Sequence, residues 1–442
     1  MFGRVTSLGW RERRKDRGEV VNARNRSGLA ARERSALGRA APLLVALLLV
    51  ALNLRLGITS ASALLTALTE TGALSAFAVV LVPAIPTAVF AIAGISTARL
   101  ALRYGAEKVV LGGMIALTGG LAVRAIPDPW VVVIGTIVAT GGLAMVNILL
   151  PAVVRAHFGQ RIGPVTTAYT TLMSVGAATA AAVAVPLANW AGSPSVGLAL
   201  WAIPALIAVV VWAIAMPKGG PSAGAGEPEL TASGTVMLPG TRRPLPAGTG
   251  LLAAYFALQA LLSYVAMGWL PTIASDAGIP PERSGMLLGI TMAVGVPATV
   301  LVVPLARGIG RMRIGFTLVA AASVAGLTGL LVAPAALPEL WAALIGIGMC
   351  AFPLVLALIA GFGANAAESA RVSTLVQSLG YSIATLGPLG AGALRQATDS
   401  WSVVLTVLVG SVILQGTIGV LLTQVLKRRR AEQREERSPQ QL

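Results

Sequence analysis

The sequence predicts an all-α membrane protein with twelve transmembrane helices arranged as two six-helix halves. Three observations lead to this fold class: the composition, the spacing of the apolar runs, and short motifs that recur about half a chain apart. Of the 442 residues, 56% are hydrophobic and only 11% are charged, whereas a soluble globular chain carries about 25% charged residues. Cys350 is the only cysteine and His157 the only histidine. This excludes a disulfide framework and a cysteine or histidine metal centre, and no cofactor is expected. The net charge of +16 would suggest nucleic acid in a soluble chain. Here the basic residues gather at the two ends, in residues 1–40 and in "KRRRAEQREER", where they suit anionic lipid rather than nucleic acid.

A helix that crosses roughly 30 Å of hydrocarbon needs about 20 mostly apolar residues. That ruler gives spans at 41–66, 76–98, 108–126, 130–153, 165–188, 196–216, 250–274, 284–305, 313–334, 338–360, 371–394 and 402–426. Residues 1–40 are too long and too evenly charged for a cleaved signal peptide, and are expected to be a disordered basic tail. Residues 217–249, rich in Gly, Pro and Ser, read as a flexible linker between an N-terminal bundle (41–216) and a C-terminal bundle (250–426), with a second basic tail at 427–442. One set of connections carries Arg99, Arg103, Lys108, Arg155, Arg161, Arg307, Arg311, Arg313 and Arg371. The alternate set carries Glu70, Asp128, Asp276, Glu282 and Glu339, with a few stray arginines. The basic set, the linker and both termini are therefore placed in the cytoplasm.

Internal similarity supports the division. "LALRYGAEK" from Leu100 and "LARGIGRMR" from Leu305 share L-A-x-x-x-G-x-x-[K/R] at an offset of 205. "MSVG" from Met173 and "QSLG" from Gln377 share S-x-G at an offset of 204, and "LN" at Leu52 matches "LQ" at Leu258 at 206. A six-plus-six duplication is the architecture of the major facilitators, with substrate bound at midplane between the halves.

Arg55 is the residue that calls for a function. It stands sixteen residues after Arg39 and fifteen before Glu70, roughly 22–24 Å from either, which puts it near the bilayer centre. A charge there costs at least about 2.5–3.5 kcal/mol, so it should face protein or water. At 100° per residue Thr59, Ser62 and Thr66 share its face, a candidate cavity wall, while Asn53, Gly57 and Ser60 form a small-residue packing face. The alternative is an arginine satisfied by backbone carbonyls at a break in the helix. No acidic residue lies well inside a span, so the simplest partner for the cation is an anionic substrate, gripped by the planar fork of a guanidinium. Asn147, Tyr169, Gln259, Ser263, Tyr264, Gln377 and Tyr381 are further midspan groups that either line the site or only join helices. His157, in the basic loop "RAHFGQRIG", reads as a surface histidine.

The loop "GISTARLALRYGAEK" partly matches the facilitator signature G-x-x-x-D-[R/K]-x-G-[R/K]-[R/K] between spans two and three. Arg99, Arg103, Gly105 and Lys108 are its candidate gating residues, and Leu102 stands where the acid is usual. Plain positive-inside topology accounts for the same charges without gating. "ALNLRLGITSASALL", "NILLPAVVRAHFGQRIG", "FALQALLSYVAMGWLPTI", "GMCAFPLVLALI" and "QSLGYSIATLGPLGAGAL" together resemble the cyanate permease and 2-nitroimidazole transporter family of the major facilitators, over about residues 41–426. The resemblance implies transport of a small polar or anionic solute across a bacterial cytoplasmic membrane by a monomer. Span one departs from the family's T-S-x-G-P-L-L, reading "TSASALL".

A drug exporter of the same superfamily is the alternative, although span five lacks the expected Gly-Pro and the usual acid is missing. An intramembrane enzyme has no midspan Asp pair, metal cluster or nucleophile–base pair to support it.

Overall fold

The computed structural model describes residues 41–158, 161–216, 245–306, 308–360, 362–363 and 366–437. The N-terminal tail (1–40) and most of the linker (217–244) lie outside the described residues. Eleven helical runs among the described residues are long and apolar enough to cross a membrane.

The first span is three helices, not one: α1 (41–53), α2 (Leu56–Ala63) and α3 (Leu65–Glu70). The sequence explains the interruption at Leu54–Arg55. Asn53 turns its Nδ2 back onto the Leu49 carbonyl at 2.8 Å and across to Pro204 at 3.2 Å. Thr59 donates to the Arg55 carbonyl at 3.0 Å, and Ser62 to Ile58 at 3.1 Å. Short polar side chains that bond the preceding turn bend helices and compete with the backbone ladder.

The N-terminal half continues with α4 (Ala76–Tyr104), α5 (Ala106–Val123), α6 (Pro129–Phe158), α7 (Ile162–Trp190), α8 (Pro194–Ala199) and α9 (Ala202–Ala215). Ser75 caps α4 by accepting from the Ala78 N–H, and the Asp128 carboxylate accepts from Trp130 and Val131 at the start of α6. Between α4 and α5, Gly105 has φ +88°, a conformation glycine adopts without strain, and so turns the chain at the signature loop. Helices α5 and α6 pack backbone on backbone through glycines spaced seven apart. A Cβ at Gly113 would stand 2.8 Å from the Gly142 carbonyl oxygen, and one at Gly120 would stand 2.6 Å from that of Gly135. Small residues at such crossings are what lets membrane helices approach closely.

The C-terminal half comprises α10 (Thr249–Asp276), α11 (Pro281–Val302) running into a 3₁₀ turn (Val303–Ala306), α12 (Ile309–Val332), α13 (Pro338–Met349), α14 (Ala351–Ala360), α15 (Ala366–Ala384), α16 (Leu386–Thr398) and α17 (Trp401–Arg437). The expected eleventh span, 371–394, differs from its neighbours. It is polar for a membrane helix, carrying Ser373, Thr374, Gln377 and Ser378, and it is split at Thr385 into α15 and α16. The last helix does not stop at 426 but runs on to Arg437, into the basic tail.

The halves meet along α7 and α11, α2 and α10, and α4 against α10, α15 and α16. The contacts crowd at one end. Gly285 and Gly289 lie against the Ala181 and Ala178 carbonyls, and Gly268 against Pro83. Asn189 donates to Glu282 at 3.1 Å, and Gln396 donates to the Ala76 carbonyl at 2.8 Å. A buried cluster shared by both halves fills this end, where Leu65, Val82, Val133 and Ala181 join Leu262, Trp269, Leu288 and Trp401. Toward the basic-loop end each half keeps a core of its own, around Leu47, Val110 and Trp212 in one and around Phe256, Phe316 and Phe362 in the other.

Candidate functional site

Arg55 stands at the break between α1 and α2, half-buried, as the residue that precedes the first turn of α2. Its carbonyl accepts from the N–H of Ile58 and Thr59 and from the Thr59 hydroxyl. The guanidinium reaches the other half of the molecule, with Nη1 3.7 Å from Met267 Sδ on α10. Tyr264, one turn before Met267, and Tyr381 on α15 are both within Coulombic range of Arg55. Their rings meet edge to face at 6.4 Å, and Tyr381 also packs edge-on to Phe256 at 5.3 Å. Three candidates from spans one, seven and eleven thus converge between the halves. A guanidinium offers five donors and no acceptor, and each phenol can donate or accept. The arrangement is suited to an acceptor-rich solute.

The other candidates are dispersed. Thr59 is fully buried and spends its hydroxyl on the Arg55 carbonyl, while Ser62 of the expected stripe lines a cavity between the halves. Gln259 is also fully buried. It donates to Ser263 at 3.1 Å and accepts from Gln415 at 2.7 Å, while Gln415 in turn is bonded to Tyr255. Gln377 donates to Ser373 at 2.7 Å. Tyr169 packs in the N-terminal core, and Asn147 is half-buried on α6.

At the basic-loop end Arg99 and Lys108 are exposed, and Arg103 lies over its neighbour Tyr104 at 5.3 Å. His157 is not a free surface histidine. It is half-buried, with Nε2 2.7 Å from Glu107 Oε1, and the Glu107 carbonyl accepts from Trp212 at 3.1 Å. These contacts tie α5 to α6 and α9 beside the signature loop.

A second arginine enters the site from a place the sequence did not suggest. Arg124 caps the C-terminus of α5, inside the expected span 108–126 and close to its end. Its side chain is 1% exposed. Nη1 donates to the Gly57 carbonyl at 3.2 Å, while Nε and Nη2 have no protein partner among the described residues. Leaving a buried donor unsatisfied costs about 1–3 kcal/mol, more when it is charged. Arg124, Ser62, Thr136, Thr140, Tyr264 and Met267 line one cavity between the halves, about 20 Å³ in volume and large enough for a water. Met267 thus stands between this cavity and Arg55. The available signal was an arginine at the end of the molecule where basic residues are depleted.

Comparison with known proteins identifies the family and the fold. The sequence profile of the Major Facilitator Superfamily matches residues 43–388. "Uncharacterized transporter YycB" of Bacillus subtilis (strain 168) is 28% identical over 383 residues, 85% of this chain and 92% of the relative. The "2-nitroimidazole transporter" of Escherichia coli (strain K12) is 29% identical over 374 residues, 82% of this chain and 90% of the relative. The "Cyanate transport protein CynX" of the same organism is 31% identical, but over only 137 residues, 30% of this chain and 35% of that protein. Among solved structures, a D-xylose-proton symporter superposes with a TM-score of 0.67 at 15% identity, covering 87% of this chain and 96% of the symporter. A mutant form of the nucleoside transporter NupG does so with 0.67 at 12%, covering 86% and 99%. At these identities the likeness concerns the fold. With apolar spans throughout, a polar midplane where they meet and a family profile across most of its length, the chain belongs to the Major Facilitator Superfamily: it is a multi-pass membrane transporter of small molecules and not an enzyme.

Proposed function

We propose that the protein moves a small anionic or polar solute across a bacterial cytoplasmic membrane by alternating access, with Arg55 as the central substrate contact. The solute class is a cyanate-like anion, a small carboxylate or a nitroheterocycle. The observation that carries this reading is the contact of Arg55 with Met267 across the two halves, one turn from Tyr264, whose ring meets that of Tyr381. A group that binds substrate from both halves is what couples occupancy to rocking of one half against the other. The names of the relatives support the solute class.

Positive-inside bias places the basic loops and both tails in the cytoplasm. On that orientation the shared core closes the outer end, and substrate would reach Arg55 from the inside. The buried polar and charged side chains among the described residues include no Asp or Glu. Proton coupling through a protein carboxylate at midplane is therefore disfavoured, and the protein runs as an exchanger or uniporter, or carries the proton on the substrate. An arginine left without an anion resists crossing a dry gate, which favours exchange. The protein works as a monomer.

The direct test is uptake into proteoliposomes. Arg55→Ala should abolish transport of a cyanate or 2-nitroimidazole probe while the protein stays folded in the membrane. Arg55→Lys should recover little, because an ammonium lacks the planar fork. The weakened binding should correspond to roughly 2–5 kcal/mol. Uptake by Arg55→Ala at the wild-type rate would remove Arg55 from the site. Accumulation driven by a pH gradient and lost on neutralising Glu70, Asp128 or Glu339 would replace the exchange mechanism.

A further inference from the structure

We propose that Arg124 and the cavity beside it form a second anion subsite, separate from Arg55, for a small planar oxyanion of formate or nitrate size. The first ground is the guanidinium itself. It is buried, its Nη1 is spent on the Gly57 carbonyl, and Nε and Nη2 are left without a protein partner among the described residues. Those two nitrogens carry the parallel N–H pair on one edge of the guanidinium, the edge that receives two oxygens of one planar anion.

The second ground is the space built around it. Gly57 and Gly135 lack the side chains that would crowd Arg124. A Cβ at Gly57 would stand 3.5 Å from Nη2, and one at Gly135 would stand 2.9 Å from the Arg124 Cγ. Gly57, Arg124, Thr136 and Thr140 line the same cavity, and Tyr264 closes it from the C-terminal half. Thr136 already bonds the Val132 carbonyl at 2.7 Å. The cavity as it stands, about 20 Å³, has room for about a water, so an anion of three or four heavy atoms would enter only as its walls give. The buried polar and charged side chains among the described residues include no carboxylate to serve instead. The subsite does not depend on Arg55 binding substrate. An anion there would lie between the two halves and join them at the end where they are closed.

The test uses the purified full-length protein in detergent, titrated with sodium formate and sodium nitrate against sodium gluconate at constant ionic strength, with thermal stability as the readout. Formate or nitrate should stabilise the wild type and gluconate, too large for the cavity, should not. Arg124→Gln should lose the response, with the apparent dissociation constant weakened about tenfold or more, whatever Arg55→Gln does. Arg55→Gln should keep the response; its loss would mark a single anion touched by both arginines and overturn a subsite separate from Arg55. An unchanged response in Arg124→Gln, or none in the wild type, overturns the subsite. Should Arg124→Gln fail to fold, Thr140→Cys in the otherwise native chain replaces it. Formate should slow modification of that cysteine by a small methanethiosulfonate, and an unchanged rate overturns the proposal equally.

Discussion

The two halves bury polar side chains in opposite ways. In the C-terminal half Tyr255, Gln415, Gln259 and Ser263 form one closed chain, in which the fully buried Gln259 both donates and accepts. In the N-terminal half Arg124 is as deeply buried, yet two of its three nitrogens have no protein partner among the described residues. Arg55, half-buried, contacts a thioether across the interface. Depth of burial is therefore a poor guide to a transport site. Satisfaction is the better one, because a fully bonded network has no donor left for a solute, whereas an unmatched fork does.

Substitutions can break this contrast. The largest expected effect is in the N-terminal half, where Arg55→Ala should remove uptake altogether while Gln259→Leu in the other half leaves the apparent affinity for the same probe within about threefold. Comparable transport losses for both would show that the glutamine network is part of the site.

Next in size is stability. Gln259→Leu strands Gln415 and Ser263 and should cost about 1–3 kcal/mol, read as a lower unfolding midpoint in detergent. The double variant Gln259→Leu/Gln415→Leu should cost less than the sum of its single changes, because each removes the other's orphaned partner. Strict additivity would mean that the two residues do not act as a unit.

Loss of the Glu107–His157 link should be milder. His157→Ala should lower the unfolding midpoint by the equivalent of about 1 kcal/mol or less, since both groups are only half-buried. It should also raise the accessibility of a cysteine introduced at Lys108. No change in that accessibility would mean that the link does not order the signature loop.

The smallest effect belongs to Thr59→Ala. Its hydroxyl is committed to the Arg55 carbonyl, so uptake should stay within about twofold of wild type, with a stability change below about 1 kcal/mol. A large rise in apparent KM would restore Thr59 to the cavity wall.

Hydropathy and charge were enough to read the fold class and the eleven segments that are long and apolar enough to cross among the described residues. Long apolar runs have few alternatives in a bilayer, because each backbone polar group must be bonded within its own helix. A midspan arginine is costly, which is why Arg55 stands out in the sequence, and Tyr264 and Tyr381 stand out beside it as midspan polar groups. The rest follows from how the helices pack. Whether Gln259 faces a solute or Gln415 depends on where α17 lies, 156 positions along the chain. Whether the Thr59 hydroxyl is free for a solute depends on local bonding, and in the structure it is fully buried and donates to the Arg55 carbonyl. Arg124 reads in one dimension as a charge near the end of a span. It becomes a buried cation because Gly57, 67 positions earlier, and Gly135, on the next helix, leave room for a long side chain to turn inward. Periodicity and hydropathy describe a helix against its solvent, whereas a site is made where helices meet, and that packing is absent from any single stretch of sequence.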